Sequence, residues 1–333
     1  MKTTAIYIQN LCVPCENHCR YCLLSWDGKL LGIDYARGEA YARRFHDWLR
    51  KHRPELDFQY YFGYSMEHPQ LPEAIDFLQS IGSVAGQFLQ FDGMKFRTKQ
   101  ELHELLTMLK DRGIRLIDLT FYGTREYHDR FAGRSDDYDY MMTILQKANE
   151  IGLPVEIGIP MTHENACQMD TLLKEFSHYQ VQRLFCFIPH AEGRGATLDP
   201  IRFTSADFDQ LSDRVKAHFR RDRYKPEKEW VAQGTFPAYQ NRVLALSLTP
   251  DNMDRLEAMS FEETIAQLEQ MDDEYYRVVP SPEELVKRYG DPAGEAFYSE
   301  RDLYLRYQRR YIAEHQLDVY DIHDERQHFS RRF

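Results

Sequence analysis

The sequence predicts an α/β fold made of six βα units in series, followed by a mostly helical extension. Three observations predict it. Up to about residue 190, short β-rich runs alternate with amphipathic helical runs. After about residue 225 that rhythm gives way to capped helices. A length of 333 residues, 43% of them hydrophobic, leaves room for a large core domain (1–222) and an extension (223–333). Six units in series imply a parallel sheet with helices outside it, either doubly wound or an incomplete barrel.

The elements follow in order. "TAIYIQ" (4–9), "DFQYYF" (57–62) and "GQFLQFD" (86–92) read as the first three strands. In "TKQELHELLTMLKDRG", Leu102, Leu105, Leu106 and Leu109 share one helical face; Thr98 and Glu101 make a capping box, and Gly113 supplies the stop. "IRLIDLTF" (114–121) is the fourth strand. "SDDYDYMMTILQKANEIG" is the helix after it, with Ser135 as cap and Tyr138, Met142, Leu145 and Ala148 on one stripe. "PVEIGIP" (154–160) and "VQRLFCFI" (181–188) complete the strands, and "SADFDQLSDRVKAHF" reads as one helix facing inward through Phe208, Leu211, Val215 and Phe219. In the extension, "RVLALSL" (242–248) is a possible strand. "SPEELVKRYGD" carries Ser281 as cap, Pro282 at the first helical position, Glu284 closing the box and Gly290 at the stop. "SERDLYLRYQRRYIAEH" (299–315) is a second helix, with Leu303, Tyr307, Arg310 and Tyr311 along one side.

Composition excludes several classes. No apolar run approaches the roughly 20 residues that span a bilayer. The start "MKTTAIYIQNLCVPC" has no apolar core with a cleavage site, so a cytoplasmic chain is expected. A net charge of −11 argues against broad nucleic-acid binding, and the basic stretch at 219–230 is interrupted by glutamates and assigned no function. In the cytoplasm thiols stay reduced, which favours metal or catalytic roles for clustered cysteines.

Four of the six cysteines fall within eleven residues, in "NLCVPCENHCRYCLLSWDG". Cys15, Cys19 and Cys22 stand as C-x3-C-x2-C. Thiolates are soft ligands that favour iron–sulfur clusters or zinc. Structural zinc sites usually join two C-x2-C knuckles across a spacer of about a dozen residues or more. Three thiolates on one short loop suit the corners of a [4Fe–4S] cube better. Cys12 decides what such a cluster could do. As a fourth ligand it would close the cluster and make a non-catalytic electron-transfer protein. As a small apolar residue at a strand end it would leave one iron open for chemistry. A zinc-binding interaction module is the third reading. Cys167 and Cys186 lie in helical and strand patterns and read as packing residues.

C-x3-C-x2-C with Tyr21 just before the last cysteine, in the loop after the first strand, resembles the signature of the radical S-adenosylmethionine (SAM) enzymes. The resemblance covers roughly residues 5–220 and implies a partial (β/α)6 TIM-like barrel. It implies one [4Fe–4S] cluster held by Cys15, Cys19 and Cys22, with SAM on the open iron. It also implies reductive cleavage to a 5′-deoxyadenosyl radical, which takes a hydrogen atom from a substrate. In "YYFGYSMEHPQL", the tail "HPQL" lines up with family sequences that read G-G-E-P upstream, which puts Phe62, Gly63, Tyr64 and Ser65 in those positions. Tyr64 replaces the glutamate, and Glu67 could supply the carboxylate if the loop bulges. Thr120 takes the place of a serine that bonds the ribose, Tyr122 takes an acidic position, and His128 with Asp129 matches an H-D pair of structural character. "GIPMTHEN" resembles the segment beside the adenine, and Arg194 in "PHAEGRG" is a SAM-contact candidate. Asp92, Tyr122, His163 and His190 are polar groups at strand ends, none assigned as catalytic. The resemblance is to the peptide-modifying branch, so a peptide substrate is expected first and a small metabolite second. A one-electron reductant such as flavodoxin or ferredoxin would be the partner. No cysteine follows Cys186, so auxiliary-cluster ligands are missing from the extension, although "LTPDNMDRLEAMSFEETI" resembles a connecting segment of domains that carry them.

Overall fold

The computed structural model describes residues 1–25, 27–63, 66–234 and 241–319. In chain order the elements are β1 (Lys2–Gln9), α1 (Tyr35–His52), β2 (Asp57–Tyr61), α2 (Leu71–Ser80), β3 (Phe88–Gln90), α3 (Lys99–Asp111), β4 (Leu116–Thr120), α4 (Arg125–Ala132), α5 (Asp137–Ile151), β5 (Val155–Pro160), α6 (Met169–Phe176) and β6 (Arg183–Phe187). There follow α7 (Ser205–Gln210), α8 (Asp213–Lys216), β7 (Tyr224–Pro226), α9 (Glu227–Gln233), β8 (Asn241–Ser247), α10 (Met253–Ala258), α11 (Phe261–Val278), α12 (Pro282–Tyr289), β9 (Phe297–Ser299) and α13 (Glu300–Glu314).

The six expected strands all form. They pair in parallel, β2 beside β1 and then β3–β4–β5–β6 in order, as βα units in series require. Alternation decides their faces. Ile6 and Ile8, Phe58 and Tyr60, and Ile117 and Leu119 are buried in the main core, which Phe45, Leu49, Leu106, Leu109 and Leu145 of the helices complete. Their neighbours Tyr7, Tyr61 and Asp118 therefore take the opposite face, the inside of the partial barrel. "RVLALSL" is also a strand, β8, and it pairs in parallel with β1, Gln9 opposite Ser247. The extension thus lends the sheet a strand through Leu244 and Leu246, which share the main core.

Local signals explain most boundaries. Thr98 and Glu101 form the capping box of α3, and Ser281 and Glu284 form that of α12. Ser135 does not cap α5. The helix begins at Asp137 because the Asp129 carboxylate accepts the N–H groups of Asp136 at 2.8 Å and Tyr138 at 2.9 Å. "SADFDQLSDRVKAHF" is two short helices. Leu211 turns extended and Ser212 starts a new cap, while Leu211, Val215 and Phe219 still reach the core. A second core lies in the extension, around Trp230, Tyr275, Leu285, Tyr298, Leu303 and Tyr307. Arg310 is exposed and pairs with Glu314, so the buried stripe of α13 runs through Leu303, Tyr304 and Tyr307 instead. No helix among the described residues is long and apolar enough to cross a membrane.

Candidate functional site

The cysteine loop leaves β1 and crosses the carboxyl ends of the strands, where a parallel barrel places its site. Its path is fixed by backbone hydrogen bonds to segments far away in sequence. The N–H groups of Glu16, His18 and Arg20 donate to the carbonyls of Gly93, Ala132 and Phe131 at 2.7–2.9 Å. On the other side, the Arg194 N–H donates to the Cys22 carbonyl at 3.0 Å, and its Nε donates to the Cys19 carbonyl at 2.9 Å. Two glycines let these segments close in. Gly93, at φ +65°, would bring a Cβ to 2.2 Å from Cys15 Sγ, and Gly193, at φ +52°, would bring one to 2.1 Å from the Leu23 carbonyl. Neither position tolerates a side chain. Gly63 packs against Val13 in the same manner.

The thiols sit in an apolar, half-closed setting. Burial pushes Cys15 up to about 11, with the charges of Asp92, Cys22 and Asp137 adding to it. Cys19 is pushed well above the ordinary thiol range, again by burial first, with Cys15, Asp92 and Cys22 contributing. The three thiols are therefore close enough to feel one another, and thiolates gathered there need a cationic centre to share their charge. Among the described residues, no three His, Cys, Asp or Glu side chains are gathered tightly enough for a single metal ion. The fit to an iron–sulfur cluster rests on donor chemistry, since three soft thiol donors on one loop are the ligands such a group takes. Cys12 is differently placed. Its thiol donates to the Phe62 carbonyl at 3.4 Å, its side chain packs against the main core, and burial pushes it up to about 12.

Around the loop stand the strand-end residues. Asp92, just past β3, is half-buried and accepts from the Thr120 N–H at 3.0 Å, the Thr120 hydroxyl at 2.8 Å and Gln90 at 3.1 Å. Burial still raises its carboxyl to about 6. The Thr120 hydroxyl proton is thus committed to Asp92, and its lone pairs are what a ribose could use. Tyr21 lies between Tyr122, Phe131 and Phe187, at ring distances of 5.6, 5.9 and 6.3 Å. Tyr122 brings its hydroxyl to 3.1 Å from Cys19 Sγ. Glu67 holds Arg97 at 2.6 and 3.2 Å and the Lys95 N–H at 2.7 Å, so its carboxylate is already engaged. Tyr64 and Ser65 lie outside the described residues.

His128 and Asp129 are structural. The Tyr122 N–H donates to His128 Nδ1 at 3.2 Å, which leaves Nε2 to donate to buried Asp137 at 3.1 Å, while Asp129 caps α5. His163 and His190, past β5 and β6, each pair through Nδ1 with a buried aspartate, Asp207 and Asp302, at 2.7 Å. Both aspartates are the third residue of a capped helix, α7 and α13.

Sequence reasoning missed the polar row inside the barrel. Gln90, Asp118, Glu156 and Arg183 lie in register across β3–β6. Arg183 grips Glu156 through both oxygens at 2.5 Å. Asp118 Oδ1 has no partner among the described residues, and burial raises the carboxyl to about 8, with Asp92 and Glu156 adding to the effect. An aspartate inside the apolar run "IRLIDLTF" was the available signal.

No protein-family model matches the chain, and no curated protein does. Solved structures do. SuiB from Streptococcus suis, bound to precursor peptide SuiA, superposes with a TM-score of 0.53 at 10% identity, over 78% of this chain and 62% of SuiB. That match establishes a shared fold, over less than two thirds of the SuiB chain. Weaker likenesses are found to anSMEcpe with bound AdoMet (TM-score 0.41, 15% identity, 56% of this chain and 52% of that one) and to coproporphyrinogen III oxidase (HemN) from Escherichia coli, described as a radical SAM enzyme (0.44, 12%, 92% and 89%).

Proposed function

We propose that this chain, which shares the fold of SuiB, is a radical SAM enzyme. The observation that carries the reading is the loop of Cys15, Cys19 and Cys22 at the mouth of a parallel partial barrel, tied by hydrogen bonds to the segments around Gly93, Phe131 and Arg194. These three thiolates would hold one [4Fe–4S] cluster, which when loaded supplies the electron that splits SAM into methionine and a 5′-deoxyadenosyl radical. Cys12, bonded to a carbonyl and packed on the core, stays out of the ligand set.

The protein's own work is positioning and exclusion. Tyr21 and Phe187 wall the cysteine loop with apolar rings, which keep water from the reacting centre. Gly63, with Tyr64 and Ser65 beside it, offers backbone groups to the methionine end of SAM. Thr120 offers oxygen lone pairs to the ribose, and Arg194 holds the loop from the side of β6. Glu67, engaged by Arg97 and the Lys95 N–H, could reach SAM only by giving up those bonds. Residues 1–222 carry cluster and cofactor in this reading, and residues 223–333 supply β8 and the cover over the loop after β6. A peptide is the substrate proposed first, in line with the peptide held by SuiB, and a small metabolite second; flavodoxin or ferredoxin would deliver the electron.

Anaerobic reconstitution tests the ligand set. Alanine at Cys15, Cys19 or Cys22 should abolish the brown [4Fe–4S] absorption, whereas Cys12→Ala and Cys186→Ala should keep it. A normal cluster in Cys19→Ala would refute the assignment. Loss of the cluster in Cys12→Ala would favour the electron-transfer protein, and a colourless chain with stoichiometric zinc the interaction module.

A further inference from the structure

Tyr122 is among the most tightly held side chains near the cysteine loop, 1% exposed. Its ring stacks on Phe131 at 5.1 Å and 29°, meets Tyr21 edge-on at 5.6 Å and lies 4.8 Å from His128. Its backbone is pinned as well, since the N–H donates to His128 Nδ1 and the carbonyl accepts from Asn165 at 2.7 Å. The phenol cannot swing away without breaking this packing, and it ends 3.1 Å from Cys19 Sγ.

Proton inventory sets the direction of that contact. A cysteine that binds iron has lost its proton, so the phenol holds the one proton the pair can share and must be the donor. We infer that, in the loaded protein, the Tyr122 hydroxyl donates a hydrogen bond to the Cys19 thiolate and raises the potential at which the cluster accepts an electron. This rests on the reading of Cys15, Cys19 and Cys22 as cluster ligands.

The sign follows from charge. Reduction adds a negative charge that spreads onto the ligand sulfurs, and a donor dipole aimed at one of them stabilises the reduced form more than the oxidised form. Burial enlarges the effect, because no water competes and the local dielectric is low. Asp92 lies in the same field and, as a carboxylate, works against reduction. The phenol offsets it. Cys15 Sγ lies 3.9 Å from an acceptor, the Asn17 carbonyl.

The test is an anaerobic redox titration followed by electron paramagnetic resonance, on wild type, Tyr122→Phe and Tyr127→Phe. Tyr127 is a buried phenol of the same aromatic cluster, but it bonds Thr162 at 2.9 Å instead of sulfur. The midpoint of Tyr122→Phe should move to a more negative potential, with Tyr127→Phe at the wild-type value. A second replacement, 3-fluorotyrosine at position 122, keeps the ring nearly the same size and strengthens the donor, so it should move the midpoint the other way. A wild-type cluster whose midpoint neither change moves overturns the inference alone. If Tyr122→Phe fails to hold a cluster, the fluorotyrosine protein decides, and a wild-type midpoint there overturns it. A wild-type chain that takes up no cluster overturns both the inference and the reading beneath it.

Discussion

Asp118 stands on β4 with one carboxylate oxygen unpartnered among the described residues, Asp92 and Glu156 nearby and Arg183 as the opposing charge. Its folded value of about 8 lies above the ordinary 3.8, chiefly through burial. A raised carboxyl holds its proton more tightly in the folded chain. Its contribution to stability is therefore full below pH 3.8 and is lost as pH rises through the folded value of about 8. Asp118→Asn removes that loss. The variant should match wild type near pH 4 and exceed it at pH 8 by more than about 1.4 kcal/mol, the worth of a single pK step. Urea unfolding of the metal-free protein at both pH values measures it, and parallel stability curves would contradict the assignment. The cysteine spacing was legible at this same scale because ligand chemistry is local. Asp118 was not, because its meaning depends on which face of β4 meets the barrel interior.

Among the elements, α13 ties the extension to the segment after β6. Asp302 binds His190 and accepts from the Ser299 hydroxyl at 2.5 Å, Arg309 pairs with Glu192, and Arg306 binds Asp199 at 2.7 Å. All three grips fall on the segment that carries Gly193 and Arg194, which in turn holds the carbonyls of Cys19 and Cys22. A helix from the extension thereby steadies the cysteine loop through one intermediate segment. Asp302→Ala breaks one buried and one part-buried hydrogen bond and should cost about 1–3 kcal/mol. Amide hydrogen exchange should accelerate at Arg194 and Cys22 as well as at the start of α13. Faster exchange confined to α13 would show that the helix merely covers the barrel. The caps of α3 and α12 were readable from the sequence because Ser or Thr and an acid three residues later suffice. The start of α5 was not, since its capping group, Asp129, belongs to the preceding helix.

For the molecule as a whole, periodicity located all six expected strands and the parallel arrangement, because alternating faces are written into each run. The place of β8 beside β1 was invisible, since nothing in "RVLALSL" names a partner more than 230 residues away in sequence. The His190–Asp302 pair, 112 residues apart, was hidden for the same reason. These long-range pairings join the extension to the barrel and its mouth, where the three cysteines gather. In the proposed function they gather there to cleave SAM. The most direct measurement is the 5′-deoxyadenosine formed when the anaerobically reconstituted chain is given SAM and a strong one-electron reductant, quantified by chromatography and mass spectrometry beside Cys19→Ala. Slow formation by wild type, dependent on the reductant and absent in the variant, is the predicted result. A fully loaded, reducible [4Fe–4S] protein that yields no 5′-deoxyadenosine, with or without candidate peptides, would contradict it.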